Sequence, residues 1–194
     1  RREIRLAGPV AQARAYVCGL GYHELSVNGR KVDDTVLRAA FTRYDATALY
    51  DTYDLTAALR TAGSTAVFGV MLGNGWYNCF TPEVWDFRQA PWRHAPKLLM
   101  QVHIRYQDGT EEVVATGTDW RVGEGAVRFD GLRNGETADA RCAVPGWDTP
   151  GFDDTAWPRA TLIRSPGGTL KAFQMPPMRV VRTLHPVAIR EAGA

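Results

Sequence analysis

Residues 98–115 read LLMQVHIRYQDGTEEVVA, two alternating runs on either side of Asp108-Gly109. Val102, Ile104 and Tyr106 recur with period two, which places them on one face of a half-buried strand. Asp-Gly is a strong hairpin signal because such tight turns need positive φ. Read as a two-residue turn, it sets Arg105 opposite Glu112 as a cross-strand charge pair. Glu111 and Glu112 alternate across their strand, so these carboxylates point apart and cannot act together.

The same grammar recurs upstream. HELSVNGRKV, residues 23–32, turns at Asn28-Gly29 and sets Leu25 opposite Val32, giving the hairpin an apolar face. Between the hairpins, AVFGVMLG (66–73) reads as a central strand, preceded by YDLTAALRTAGS, where Asp54, Thr56 and Leu59 fit one helical turn before a glycine-bearing turn. WRVGEGAVRFDGLRNGE (120–136) offers short strands separated by glycine, and GWDTPGFDDTAWP (146–158) is rich in turns. No stretch carries a long amphipathic helix and no internal repeat is visible. The expected fold is all-β, an antiparallel β-sandwich of the jelly-roll, galactose-binding-like type.

SPGGTLKAFQMPP (165–177) begins flexible and ends stiff, so residues 1–165 are expected to form the sandwich and 166–177 a linker. Residues 178–194 open with MRVVRTLHPVAIRE, which alternates like a strand without a partner and is expected to lead into a following domain that is missing here.

A chain of 194 residues with 45% apolar content can bury one substantial core. Its 23 basic and 21 acidic residues are interspersed, leaving a formal net charge of +2 and no basic stripe for nucleic acid or an anionic membrane. No apolar run has the length of a membrane span. Localisation stays open. Cys18, Cys79 and Cys142 are far apart, with no CxxC pair, and Cys18 in AYVCGL reads as a small buried hydrophobe. His23, His94, His103 and His185 are equally scattered, which argues against a histidine metal site. There is no GxSxG elbow, no histidine at a recognised family spacing from Cys79, and the glycines of LGNGW fit no nucleotide-binding pattern.

Four segments, taken in order, carry a resemblance. TRYDATALYDTYDLTAALRTAGSTAVFGVMLGNGWYN, FDGLRNGETADAR, GWDTPGFDDTAW and PMRVVRTLHPVAI are similar to the amino-terminal β-sandwich module of bacterial α-L-rhamnosidases of glycoside hydrolase family 78. The resemblance implies a non-catalytic accessory module, acting in substrate recognition or carbohydrate binding. Terminal α-L-rhamnosyl residues are then hydrolysed by inversion in a separate α/α-barrel domain. The implied partners are a rhamnose-containing carbohydrate and the other domains of the parent enzyme. In some modules of this class calcium mediates rhamnose binding through a loop carboxylate and amide. Here Arg43 precedes Tyr44 where related sequences carry an acidic or amide residue, with Asp45 adjacent, so no calcium site transfers and no cofactor is expected.

NGWYNCFTPEVWDFRQAPWRHAP, residues 74–96, holds three of the six tryptophans in a stretch with no regular period. It is longer than a sandwich connection needs. Sugars stack their C–H faces on rings while their hydroxyls meet carboxylates, amides and guanidinium groups. Trp85, Asp86, Arg88 and Trp92 therefore form the candidate ligand-binding set, with Asn74 and Tyr77 at the loop's entry. The competing reading is that Trp76, Phe80 and Phe87 staple the loop to the body, or that the loop packs on another domain. Trp76, beside the strand end, is expected to behave as core, and at least one of Trp85 and Trp92 as surface. Carboxylates that could by type supply an acid and base are Glu83 with Asp86, Asp130 with Glu136 and Asp139, and Asp153 with Asp154. Asp153 is expected to accept the N–H groups of the turn that seats Trp157, Asp33-Asp34 to be solvated, and Glu136, Asp139 and Arg141 to form salt bridges.

Overall fold

The computed structural model describes residues 1–81, 85–188 and 190. Among the described residues, eleven strands and one short α-helix follow in chain order: β1 (Arg2–Arg5), β2 (Val10–Leu20), β3 (Tyr22–Val27), β4 (Arg30–Lys31), β5 (Thr47–Asp54), α1 (Thr56–Arg60), β6 (Thr65–Gly73), β7 (Lys97–Tyr106), β8 (Glu111–Ala115), β9 (Val127–Gly131), β10 (Gly135–Ala138) and β11 (Thr169–Ala172). They form a four-stranded sheet, β1-β6-β3-β4, a five-stranded sheet, β11-β5-β2-β7-β8, and a separate β9-β10 ribbon. Every pairing is antiparallel except that of β11 with β5. This is the antiparallel β-sandwich that the alternation predicts.

The core lies between the two larger sheets. Ala13, Ala15 and Val17 of β2 and Met100, Val102 and Ile104 of β7 meet Leu25 and Val27 of β3 and Phe68 of β6. Each large apolar side chain enclosed there contributes roughly 1.5–3 kcal/mol. The central position expected for residues 66–73 is that of β6, which pairs with β1 on one side and β3 on the other. Leu59 of α1 closes one end of the core, and Asp54 accepts the Thr56 N–H at 2.9 Å.

The two hairpins differ in their turns. Asn28 and Gly29 both have positive φ, 48° and 77°, and join Val27 to Arg30 in the expected two-residue connection. At Asp108-Gly109, Tyr106 pairs with Thr110 across three residues, and Gly109 takes the left-handed position with φ of 87°. The extra residue moves the register by one, so Arg105 faces Glu111 and not Glu112. Glu112 lies opposite Ile104 instead and accepts the Tyr106 hydroxyl.

The stretch expected to be a linker contributes a strand. β11 lies along the open edge of β5, with the Thr169 N–H donating to the Ala46 carbonyl at 3.0 Å. Gly168 permits this approach, because a Cβ there would stand 2.3 Å from the Tyr44 carbonyl oxygen. Beyond it, residues 178–188 are not the strand that their alternation predicts. They have one bridge, Arg179 to Thr35, beside an Arg179–Asp34 ion pair of 2.7 Å, and Val181 and Val187 are fully exposed. Alternation without a neighbour to pair with yields an extended segment and no ladder. Ile189 and residues 191–194 of the expected strand lie outside the described residues.

A polar group enters the core where β3 faces β5. The Arg38 guanidinium, from the loop after β4, meets Asp51 at 2.6 Å, and His23 Nε2 lies 3.1 Å from the Tyr53 hydroxyl and 3.6 Å from Asp51. His23 Nδ1 and Asp51 Oδ2 are buried without hydrogen-bond partners. Burial, reinforced by Arg38, lowers the His23 pKa to about 4. Burial also lifts the Asp51 carboxyl to about 6, against the pull of Arg38. Arg38 in turn stacks on Phe173, just past β11, at 4.9 Å from the ring centroid.

Candidate functional site

The aromatic loop lies against the outer face of the five-stranded sheet. Because Ala15 and Val17 point into the sandwich, Cys18 shares the outward register of β2, yet it is buried together with Leu20. What covers them is a second apolar cluster of Tyr44, Ala48 and Tyr77, with Tyr50 and Trp92 packed on it. Enclosure raises the Cys18 thiol pKa to about 11, consistent with the inert packing role expected for it. Cys79 and Cys142 are likewise free thiols.

Rings continue from this cluster along the loop. Tyr44 meets Tyr77 at 5.2 Å and Trp92 at 6.1 Å between centroids. Phe87 is the hub of the outer part, 5.2 Å from Phe41, 5.8 Å from Trp76, 6.4 Å from Trp92 and 5.4 Å from Trp85. Most of these pairs meet edge to face, a geometry that adds about 0.5–1.5 kcal/mol each beyond the area buried. Trp76 is half-buried between Phe41 and Phe87, so the stapling expected of Trp76 and Phe87 is present. Phe80 packs on Phe129 of β9 at 5.4 Å, under the Arg93 guanidinium, and ties the loop to the β9-β10 ribbon.

The six candidate ligand-binding residues divide. Trp85 stands at the tip with 79% of its surface exposed. Beside it Asp86 accepts from Arg88 Nε at 2.9 Å and also from Gln89, so acid and guanidinium face solvent as a pair. Trp85 and Asp86 both have positive φ, 47° and 51°, which turns the chain sharply at the tip. Trp92 is half-buried on the second cluster. Tyr77 is wholly enclosed, its hydroxyl without a partner, and presents no surface to a ligand. Asn74 is spent on structure: its backbone N–H and side-chain amide donate to Asp130 at 2.8 Å, and its side-chain oxygen accepts from Asn78 at 2.7 Å. Tyr77 and Asn74 are therefore the foundation of the loop and not its contact surface. One exposed ring escaped the sequence reading: Phe41, 41% exposed, adjoins the tip group through Phe87. Its signal was its place at the head of FTRYD, three residues before Tyr44.

The acidic residues flagged by type are mostly committed locally. Asp130 is held by Asn74, Asp139 pairs with Arg141 at 2.6 Å, and Asp153 accepts the Thr155 N–H at 3.0 Å in the turn before Trp157. Asp154 binds Arg1, and Glu136 is exposed on β10 without joining Asp139 and Arg141. Glu83 lies outside the described residues. Asp33 accepts from Thr35 and is largely covered, whereas Asp34, though paired with Arg179, stays solvent-exposed as expected. Asp45 is paired with Arg43 at 2.9 Å, and among the described residues no group of three or more His, Cys, Asp or Glu is placed to hold a metal ion.

The family profile described as the alpha-L-rhamnosidase N-terminal domain matches residues 8–182. The chain belongs to that family. An α-L-rhamnosidase of Streptomyces avermitilis is 39% identical to this N-terminal domain over 158 residues, 81% of the chain and 15% of the relative. The solved α-L-rhamnosidase of Dictyoglumus thermophilum superposes with a TM-score of 0.83 at 31% identity, covering 93% of this chain and 19% of that one. The Streptomyces avermitilis enzyme, solved in complex with L-rhamnose, superposes with a TM-score of 0.74 at 35% identity, covering 86% of this chain and 16% of that one. The N-terminal domain thus spans less than a fifth of the length of these relatives.

Proposed function

We propose that this N-terminal domain is a non-catalytic accessory module of an α-L-rhamnosidase. It contacts rhamnose-containing carbohydrate through the loop tip, while hydrolysis proceeds by inversion in a separate α/α-barrel domain. The observation that carries this reading is Trp85: a nearly free indole beside an acid–guanidinium pair, raised on a base of packed rings. An exposed ring held on a rigid support offers a sugar a stacking face at little ordering cost. The complex of the Streptomyces avermitilis relative with L-rhamnose supports the choice of sugar.

Calorimetric titration with L-rhamnose at millimolar concentration, with and without calcium, tests the proposal. Weak binding is expected, since a monosaccharide buries little area. Trp85→Ala should abolish the heat. No heat in either buffer would overturn the sugar reading. The alternative, a purely structural interdomain module, is favoured by the exposed apolar residues after β11, among them Val181 and Val187. Apolar surface of that kind suits contact with other domains of a longer chain.

A further inference from the structure

The second apolar cluster covers only one end of the outer face of the five-stranded sheet. Past its margin the face is open, and three rings cross it on a diagonal. Tyr50 of β5 lies 5.9 Å from Tyr16 of β2, and Tyr16 lies 5.5 Å from His103 of β7, each pair edge to face. All three point outward, because their strand neighbours Asp51, Ala15 and Val102 are buried on the inner side. The register supplies hydrogen-bonding groups along both flanks: Thr52 and Gln101 sit directly across from Tyr16, and Arg14 sits across from His103. Gln101 also lies 3.3 Å from His103 Nε2, which fixes the imidazole ring in the row.

We propose that this diagonal is a second carbohydrate surface, distinct from the loop tip, which takes several successive residues of a neutral oligosaccharide chain. Protein interface cores exclude charge, whereas here Arg14 and Asp54 stand exposed in register on neighbouring strands of the open face, interleaved with the rings. Aromatic faces alternating with amide, hydroxyl and guanidinium groups instead match the alternating C–H faces and hydroxyls of a sugar chain. Because each ring is turned against the next, the surface is stepped. A single flexible chain follows such a surface and a flat crystalline one does not. The row also starts where the loop ends, since Tyr50 packs against the cluster that holds Trp92.

The test is amide NMR titration of the chain with L-rhamnose, with a linear neutral hexasaccharide, and with a rhamnosyl-bearing oligosaccharide of similar length. Shifts at Thr52, Gln101 and His103 that appear with the oligosaccharides, and are at least tenfold weaker with the monosaccharide, are expected. His103→Ala and Tyr16→Leu should each weaken binding of the neutral hexasaccharide, which carries no rhamnosyl group for the loop tip to contact, about tenfold or more. This separates failure here from failure of the loop reading. If Tyr16→Leu unfolds the chain, the exposed His103→Ala still decides. Absence of shifts on this face with every oligosaccharide would overturn the proposal. Loss of Tyr16 and His103 side-chain reactivity towards chemical modification in a longer parent protein without sugar would also overturn it, by showing the face to be an interdomain contact.

Discussion

The protein has two apolar clusters on the two faces of one sheet, and they are built by different rules. The inner one is mostly aliphatic, drawn mainly from alternate positions of regular strands, and takes in the His23–Asp51–Arg38 group at its margin. The outer one centres on rings, Tyr44, Tyr77 and Trp92, that connecting segments lay over Cys18, Leu20, Ala48 and Tyr50 of the strands. Strand period creates the first as a by-product of folding. The second exists only because a long loop returns to the sheet with Tyr77 and Trp92 in the right places. A core of the first kind specifies the fold, and one of the second kind fixes the position of a loop.

The largest effect separating the two readings of the loop is expected at its base. Tyr77→Ala should cost about 3 kcal/mol or more, the usual penalty for emptying a buried aromatic site, and Trp92→Ala somewhat less because that ring is only half-buried. Chemical denaturation measures both. A loss under about 1 kcal/mol for Tyr77→Ala would mean that the loop lifts freely and that the second cluster is no core.

The polar group in the inner cluster gives the next effect. Asp51, raised from 3.8 to about 6, contributes stability that is complete below pH 4 and lost as pH rises through 6. His23, lowered from 6.5 to about 4, contributes stability that is complete above pH 6.5 and lost as pH falls towards 4. Across pH 4–6 the two slopes oppose each other. His23→Gln should therefore tilt stability, relative to the parent chain, downward with rising pH, and Asp51→Asn should tilt it the other way. Each tilt should be on the order of 2 kcal/mol over that window. Parallel profiles for all three proteins would show that the pair does not titrate as placed.

A smaller change is expected on removing everything after Pro177. The sandwich should keep its cooperative thermal transition and lose no more than a surface substitution costs, about 0.5 kcal/mol. Collapse of the transition would place residues 178–194 in the core. The smallest effect belongs to the tip: Trp85→Ala should leave stability within about 0.5 kcal/mol while removing the heat of L-rhamnose binding. The contrast between Tyr77 and Trp85, two rings of one loop, sharpens the distinction between support and contact surface.

What could be read beforehand follows the same division. Alternation in residues 98–106 and positive φ at Asn28-Gly29 are local and were legible. The Arg105 register was missed because Asp108-Gly109 serves a three-residue loop as readily as a two-residue one, and only the partner strand chooses. β11 was missed because Gly167 and Gly168 signal flexibility in a sequence, whereas here Gly167 takes a positive φ of 103° and Gly168 lets the chain pass close beside Tyr44. The enclosure of Tyr77 left no periodic trace, since burial under a loop has no period. That at least one of Trp85 and Trp92 would be exposed was legible from their irregular segment, but that it is Trp85 depends on the Tyr44–Tyr77 cluster that takes Trp92.

The parallel run of β11 beside β5 has a mechanical consequence. A strand joined to its neighbour along its whole length resists a pull along its axis in shear, with every backbone bond loaded together, instead of peeling open one bond at a time. The Phe173 ring under the Arg38 guanidinium pins the end of that strand. Tension or torque arriving from residues past Ala172 is therefore delivered to the middle of the sheet through β5. The chain is therefore held stiffly as far as Phe173, and any freedom to swing begins only beyond that anchor, where the extended residues 178–188 make a single bridge.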